Sequence, residues 1–207
     1  MADYRKPDYW QLKARKEGYP ARSVYKLDEM NNKFGLLNKA RAGKRGARIL
    51  DLGAAPGSWS LYVLRKIKTS GFLAAADLSP LSRQYDQGLF DQENFFFVQG
   101  DIGEQAVRQE LLSRGPYSLL LSDAAPATTG NRSVDTARSL ELAQAVLAYA
   151  ETALESGGNM VIKVFQGGDT ASILKRIKEL FDAGKSFKPE ACRGESFETY
   201  YVGLGKK

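Results

Sequence analysis

The chain has 207 residues, 43% of them apolar, enough for one domain with a substantial core, and no run approaches the roughly 18 uninterrupted apolar residues of a membrane span. One cysteine, Cys192, and no histidine exclude an intrachain disulfide framework, multi-cysteine and His-ligated metal sites, and His-based triads, so a proton acceptor must be Lys, Asp, Glu or Tyr. The net charge of +6 is uneven, with 13 Lys and Arg against 5 Asp and Glu in residues 1–48, a distribution that suits either a polyanion partner or a solvated basic face. No signal-peptide pattern opens the sequence, and a cytoplasmic protein is expected.

Residues 9–16 and 22–34 have helical periodicity, the second placing Val24, Leu27, Met30 and Phe34 near one face; Gly18, Tyr19 and Pro20 separate them. The basic stretch KARAGKRGAR at 39–48 reads as a linker, so residues 1–46 form a basic helical extension and 47–207 the main domain. Strand 47–52 then enters DLGAAPGSW, Asp51 to Trp59. Here an apolar strand ends in a carboxylate, a turn of small residues follows, and a helix starts at Ser58 with unpaired N–H groups. Open α/β sheets hold nucleotide-like ligands at such carboxyl ends. The glycines, Gly53 and Gly57, do not match GxGxxG, and a proline and Trp59 leave little room for a pyrophosphate. An adenosyl group carrying an amino acid, as in S-adenosylmethionine, fits; an ordinary strand–turn–helix corner is the plain alternative.

Helix 58–68, strand 72–77, strand 95–99, helix 104–113 and strand 117–122 come next, then a loop containing AAPATTGNR. A long helix from about 134 to 155 lines up Leu140, Ala143, Leu147, Ala150 and Leu154. Strand 158–165, helix 170–182 and two strands near 186–191 and 198–204, paired as a hairpin through CRGES, complete the chain. This alternation predicts an α/β fold with a mostly parallel sheet and helices on both faces.

Asp51, Asp77, Asp101 and Asp123 each sit at or just past the carboxyl end of a predicted strand, hence on one rim; turn or helix capping is the plain alternative, most of all for Asp101. Asp77 lies 26 residues after Asp51, about where an acid reaches a ribose in dinucleotide sites. Lys163 interrupts the apolar strand MVIKVF, where a buried lysine needs a partner or a task unless it snorkels from an edge. If the final strand runs antiparallel, Glu198 begins on the same rim as Asp123 and Lys163.

Together ARSVYKLDE at 21–29, DLGAAPGSWS at 51–60, Asp77-Leu78, QGD at 99–101, SDAAP at 122–126, IKVFQG at 162–167 and SFETYYV at 196–202 resemble the FtsJ (RrmJ-type) family of S-adenosylmethionine-dependent ribose 2'-O-methyltransferases. The resemblance implies a Rossmann-like methyltransferase fold, seven-stranded, with an antiparallel C-terminal strand. It implies a catalytic tetrad of Lys26, Asp123, Lys163 and Glu198, with Lys163 the proton acceptor. The cofactor would be held by Gly57, Ser58, Trp59, Asp77, Asp101 and Asp123, with Asp51 and Gly53 shaping the turn, giving S-adenosylhomocysteine without a metal. Cys192 stands where many members carry serine, and reads as a bystander.

The implied partner is RNA, since only ribose carries the acceptor hydroxyl. Lys13, Arg15, Lys16 and Arg22, with loop 124–132, would dock its phosphates. The stand-alone form resembles bacterial or organellar large-subunit ribosomal RNA enzymes acting on a uridine; a monomer without membrane attachment is expected. Transfer RNA is the alternative substrate, and a noncatalytic RNA-binding module the alternative of another class. A nicotinamide-dependent dehydrogenase is disfavoured by the missing GxGxxG.

Overall fold

The structure, a computed structural model, describes residues 8–43 and 45–207; part of the basic N-terminal segment, residues 1–7 and Lys44, lies outside the described residues. Three N-terminal helices, α1 (Tyr9–Lys16), α2 (Val24–Phe34) and α3 (Leu36–Arg41), precede the sheet. Then follow β1 (Arg48–Leu52), α4 (Ser58–Ile67), β2 (Phe72–Asp77), β3 (Phe95–Gln99), α5 (Gln105–Ser113) and β4 (Tyr117–Ser122). The chain ends with α6 (Arg132–Ala153), β5 (Leu154–Phe165), α7 (Thr170–Leu180), β6 (Phe181–Phe187) and β7 (Glu198–Lys206).

The seven strands form one sheet in the order β3-β2-β1-β4-β5-β7-β6. Strands β1 to β5 pair in parallel, and β7 inserts antiparallel between β5 and β6. The order reverses between β1 and β4, and the carboxyl edge at such a switch point is where open α/β sheets bind ligands. One core lies under α2, α3 and α4 and contains Leu27, Met30, Ile49, Val63, Leu121 and Val202. The other lies under α5, α6 and α7, with Leu50, Leu120, Ile162, Val146, Leu111 and Ile177. Alternation along each strand sends neighbouring residues to opposite cores, which fixes the register.

The long helix ends at Ala153, so Leu154, expected on its stripe, instead opens β5 four residues before the expected start. Two further elements differ. The stretch at 39–48 is not wholly a linker: Leu36, Leu37 and Ala40 are buried at spacings that fit one helical face, and α3 carries the chain to Arg41 after Gly35 turns it at φ +66°. Helices α2 and α3 thus share a core with the sheet. The first strand of the final hairpin occupies 181–187 instead of 186–191. Phe181, at 1% exposure, packs where a Cβ on Gly203 would come within 2.7 Å of its ring, so the strand starts as α7 ends, and Pro189 in the expected segment has no N–H for a ladder. The connection to β7 accordingly spans 188–197 rather than CRGES alone.

Candidate active site

The turn after β1 is held by backbone. The N–H groups of Gly53 and Ala54 both donate to the Ala76 carbonyl, and that of Ala55 donates to Asp77 Oδ2 at 2.9 Å. Gly53 has φ +78°, and a Cβ there would stand 2.5 Å from the Cα of Ala124, so the turns after β1 and β4 approach closely only with glycine at this position. Gly57, at φ +107°, starts α4 with no capping side chain, leaving the first-turn N–H groups open. Ser58 and Trp59 are buried and their side chains are engaged elsewhere: Ser58 Oγ accepts the Ala21 N–H at 2.8 Å, and Trp59 Nε1–H donates to the Ser23 carbonyl at 2.8 Å. What they can offer a ligand is main chain, while their side chains dock α2 onto α4.

The rim acids are unequal. Asp51 is fully buried; Oδ2 accepts from Ser60 at 2.7 Å and Oδ1 has no partner among the described residues. Burial pushes its carboxyl up to about 7; the Ser60 hydrogen bond opposes this, and the nearby charges of Asp123 and Asp77 add to it. Asp77 accepts from Ala55 and, through Oδ1, from Ser79, so it braces the turn. Asp101 is exposed and accepts the Gly103 N–H at 2.8 Å, the turn role open to an Asp in that position. Leu78, 68% exposed beside Asp77, is an apolar surface on this rim. S-adenosylmethionine fits these groups: its carboxylate suits open helix N–H groups, its positive charges suit the acids, and its adenine suits an apolar side chain.

Next to the turn stands a charged cluster. Asp123 continues β4 by one residue and Lys163 lies in β5, and their side chains meet with Lys163 Nζ 3.1 Å from Asp123 Oδ1. Lys163 also donates to the Asp123 carbonyl. Lys163 is paired with Tyr200 across β5 and β7, and Glu198 lies two residues before Tyr200, so all three side chains share one face of the sheet. That face is covered by α2, whose Lys26 places Nζ 2.7 Å from Glu198 Oε1. Lys26, Asp123, Lys163 and Glu198 are therefore drawn together from four elements, each side chain 10–16% exposed. Burial would raise the Asp123 carboxyl, but Lys163, Lys26 and the Tyr200 hydroxyl outweigh it and hold the group below its ordinary value. A cavity of about 270 Å³, lined by Ala21, Arg22, Ser23, Lys26, Ser196 and Glu198 among others, opens beside the Lys26–Glu198 pair.

The model of the FtsJ-like methyltransferase family matches residues 19–206. The chain belongs to this family. Curated relatives include the ribosomal RNA large subunit methyltransferase E of Treponema denticola, 48% identical over 99% of this chain and 97% of that protein. The protein of the same name in Oleidesulfovibrio alaskensis is 46% identical over 100% of this chain and 94% of its own length. Among solved structures, one described as a ribosomal RNA methyltransferase from Plasmodium falciparum aligns with a TM-score of 0.73 and 27% identity, over 91% of this chain and 98% of that one. Human methyltransferase-like protein 13, solved with S-adenosylhomocysteine, shares the fold at a TM-score of 0.60 and 14% identity, over 87% of this chain and 82% of that one.

In this FtsJ-like chain the four basic residues expected to dock RNA are placed differently from one another. Arg15 and Lys16 are exposed on α1. Lys13 lies 4.5 Å from the centre of the Tyr25 ring. Arg22, 13% exposed, pairs with Asp8 and donates to the Ala191 carbonyl. In loop 124–132, Thr129 donates through N–H and hydroxyl to Asp135, and Asn131 caps α6.

Two residues to which the sequence assigns no role lie inside the cluster. Tyr200, fully buried, donates its hydroxyl to Asp123 Oδ1 at 2.6 Å. Burial, with Asp123 and Glu198 nearby, pushes the phenol well above its ordinary value, so it remains a donor. Its signal was strand period: two residues past Glu198 is the same face. Cys192, read as a bystander, lies against Glu198; burial first and that carboxylate second push its thiol up to about 12, and it stays neutral.

Proposed function

We propose that this chain transfers a methyl group from S-adenosylmethionine to a ribose 2'-hydroxyl of large-subunit ribosomal RNA, at a uridine. The observation that carries the reading is the Lys163 amine, 3.1 Å from Asp123 in a pocket that Lys26, Glu198 and Tyr200 complete, directly beside the turn after β1. When bound, S-adenosylmethionine supplies an electrophilic methyl group that needs alignment with its acceptor and removal of the alcohol proton. Lys163 Nζ accepts that proton from the 2'-hydroxyl after its ammonium has released a proton to solvent. Asp123 orients the amine beforehand and pairs with the ammonium afterwards, while the Tyr200 hydrogen bond keeps the carboxylate in place. Lys26, tethered by Glu198, presents a cation next to the cavity that would admit the acceptor nucleotide. Asp77 and the glycines hold the turn in shape, and Asp101 is available to the adenosine end. Exposed Arg15 and Lys16 supply phosphate contacts away from the chemistry.

The names of the curated relatives support ribosomal over transfer RNA. The test is to incubate large ribosomal subunits, and separately transfer RNA, from cells lacking this enzyme with purified protein and S-adenosylmethionine, then map ribose methylation by mass spectrometry. One new 2'-O-methyluridine in the large-subunit RNA is expected. Methyl transfer to a base, to transfer RNA alone, or to nothing overturns the reading.

A further inference from the structure

Helix α2 carries Lys26 and, one turn further along, Glu29. The Glu29 carboxylate reaches the connector between β6 and β7. Oε2 accepts the Glu190 N–H at 2.7 Å and Oε1 accepts the Ala191 N–H at 2.9 Å. Two residues before the same helix, Arg22 donates to the Ala191 carbonyl and is itself tied to Asp8, the capping residue of α1. Residues 190 and 191 are thus held by Glu29 through both of their N–H groups and by Arg22 through the Ala191 carbonyl. Further along, this connector supplies Cys192 beside Glu198 and Ser196 in the cavity wall, and Ser196 Oγ accepts the Glu198 N–H at 3.2 Å. Glu198 then returns to Lys26 at 2.7 Å, closing a ring of contacts that begins and ends on α2.

We propose that Glu29 is a positioning residue for the methyl transfer: by gripping residues 190 and 191 it sets where the β6–β7 connector lies, and so fixes the Lys26–Glu198 pair and the wall of the acceptor cavity. The assignment rests on the function proposed above. A carboxylate suits the task because it offers two acceptor oxygens to two backbone donors. Glutamine of the same shape turns one acceptor into a donor facing an N–H, and a displacement of about 1 Å at a reacting site can cost on the order of 100-fold in rate.

The experiment compares wild type with Glu29→Gln by amide hydrogen exchange at 190 and 191 and by steady-state methylation of large ribosomal subunits. In the variant, both amides should lose protection and kcat should fall by about tenfold or more. Affinity for S-adenosylmethionine should stay within about twofold, since the turn after β1 is untouched. In combination with Glu198→Gln, the Glu29→Gln change should add little further loss, because both act through one carboxylate, whereas a general loss of stability would multiply. Glu29→Asp, with two acceptor oxygens on a stem one methylene shorter, substitutes if the glutamine variant does not fold, and should show the same retention of donor affinity with reduced kcat. Normal kcat in a folded variant with deprotected amides, or multiplying losses in the double variant, overturns the positioning role and leaves the functional reading standing. Wild-type protein with protected amides and no methyl transfer to ribosomal RNA overturns the reading and leaves the clamp.

Discussion

Between Asp51 and Ser60 a strand end, a turn and a helix start build the proposed donor side from consecutive residues, with backbone N–H groups and two glycines shaping it. The charged cluster beside it takes Lys26 from α2, Asp123 from the end of β4, Lys163 from β5, and Glu198 and Tyr200 from β7. The two differ in how they treat charge. In the cluster each carboxylate has a cation within 3.1 Å. In the turn, Asp51 is sealed in with one oxygen unpartnered and no cation against it among the described residues. On the proposed reading, local geometry prepares a place for the methyl donor, and tertiary packing prepares groups that move a proton. Variants in the two regions should accordingly fail in different ways.

The largest effect is expected at Lys163. Methionine there keeps the length and apolar stem while removing the amine, and loss of a positioned proton acceptor costs about 10²–10⁴-fold in turnover. Lys163→Met should therefore reduce methyl transfer by about a thousandfold. S-adenosylmethionine affinity, read by calorimetry, should remain close to wild type because the turn residues do not contact the amine. A variant that loses donor binding and turnover in parallel would erase the distinction between the two regions.

A smaller but opposite signature belongs to Asp51. Its folded-state value of about 7 lies above the ordinary carboxylate value, so the folded protein holds a proton that the unfolded chain has released. Stability from this group is present below about pH 4 and is lost as pH climbs towards 7, by on the order of a few kcal/mol. Asp51→Asn cannot ionise and should lack that slope. In urea unfolding at a series of pH values, the stability of wild type relative to the variant should fall between pH 4 and 8. A constant difference across that range would mean that Asp51 is compensated in the fold after all.

Much of this was legible in the chain because the relevant signals are local. The carboxyl-edge acids follow apolar runs, the glycines of the turn are spaced for it, and Lys163 stands out in MVIKVF. The alternation of elements indicated the parallel sheet, and β7 does start at Glu198 on the expected rim. Long-range packing was not legible. Lys26 reads as one more lysine on a basic helix until α2 is seen lying over β7, and resemblance rather than pattern singled it out. Arg22 looks like a phosphate contact, yet its partners are 14 and 169 residues away. Ser58 and Trp59 sit in the most recognisable stretch, but their side chains secure the N-terminal helices. Strand β6 starts earlier than its propensity suggests because a buried Phe181, whose ring packs against Gly203 of β7, decides where the hairpin begins.

The smallest predicted effect is at Tyr200, and it asks how far the cluster behaves as a unit. Phenylalanine keeps the ring, which stands 6.0 Å from that of Trp59, and removes only the hydroxyl that donates to Asp123. A hydrogen bond to a charged group is worth roughly 1.5–3 kcal/mol, but Lys163 still holds the carboxylate, so turnover should fall by no more than about tenfold. The hydroxyl is one of the groups that lower the Asp123 carboxyl, so its removal must raise that value. In Tyr200→Phe the Asp123 carboxyl, followed by carboxyl-carbon NMR through a pH titration, should therefore titrate at higher pH than in wild type. An unmoved titration would mean that the Tyr200 hydroxyl does not hold the carboxylate, and that Lys163, bound to both the carboxylate and the backbone carbonyl of Asp123, keeps the group in place by itself.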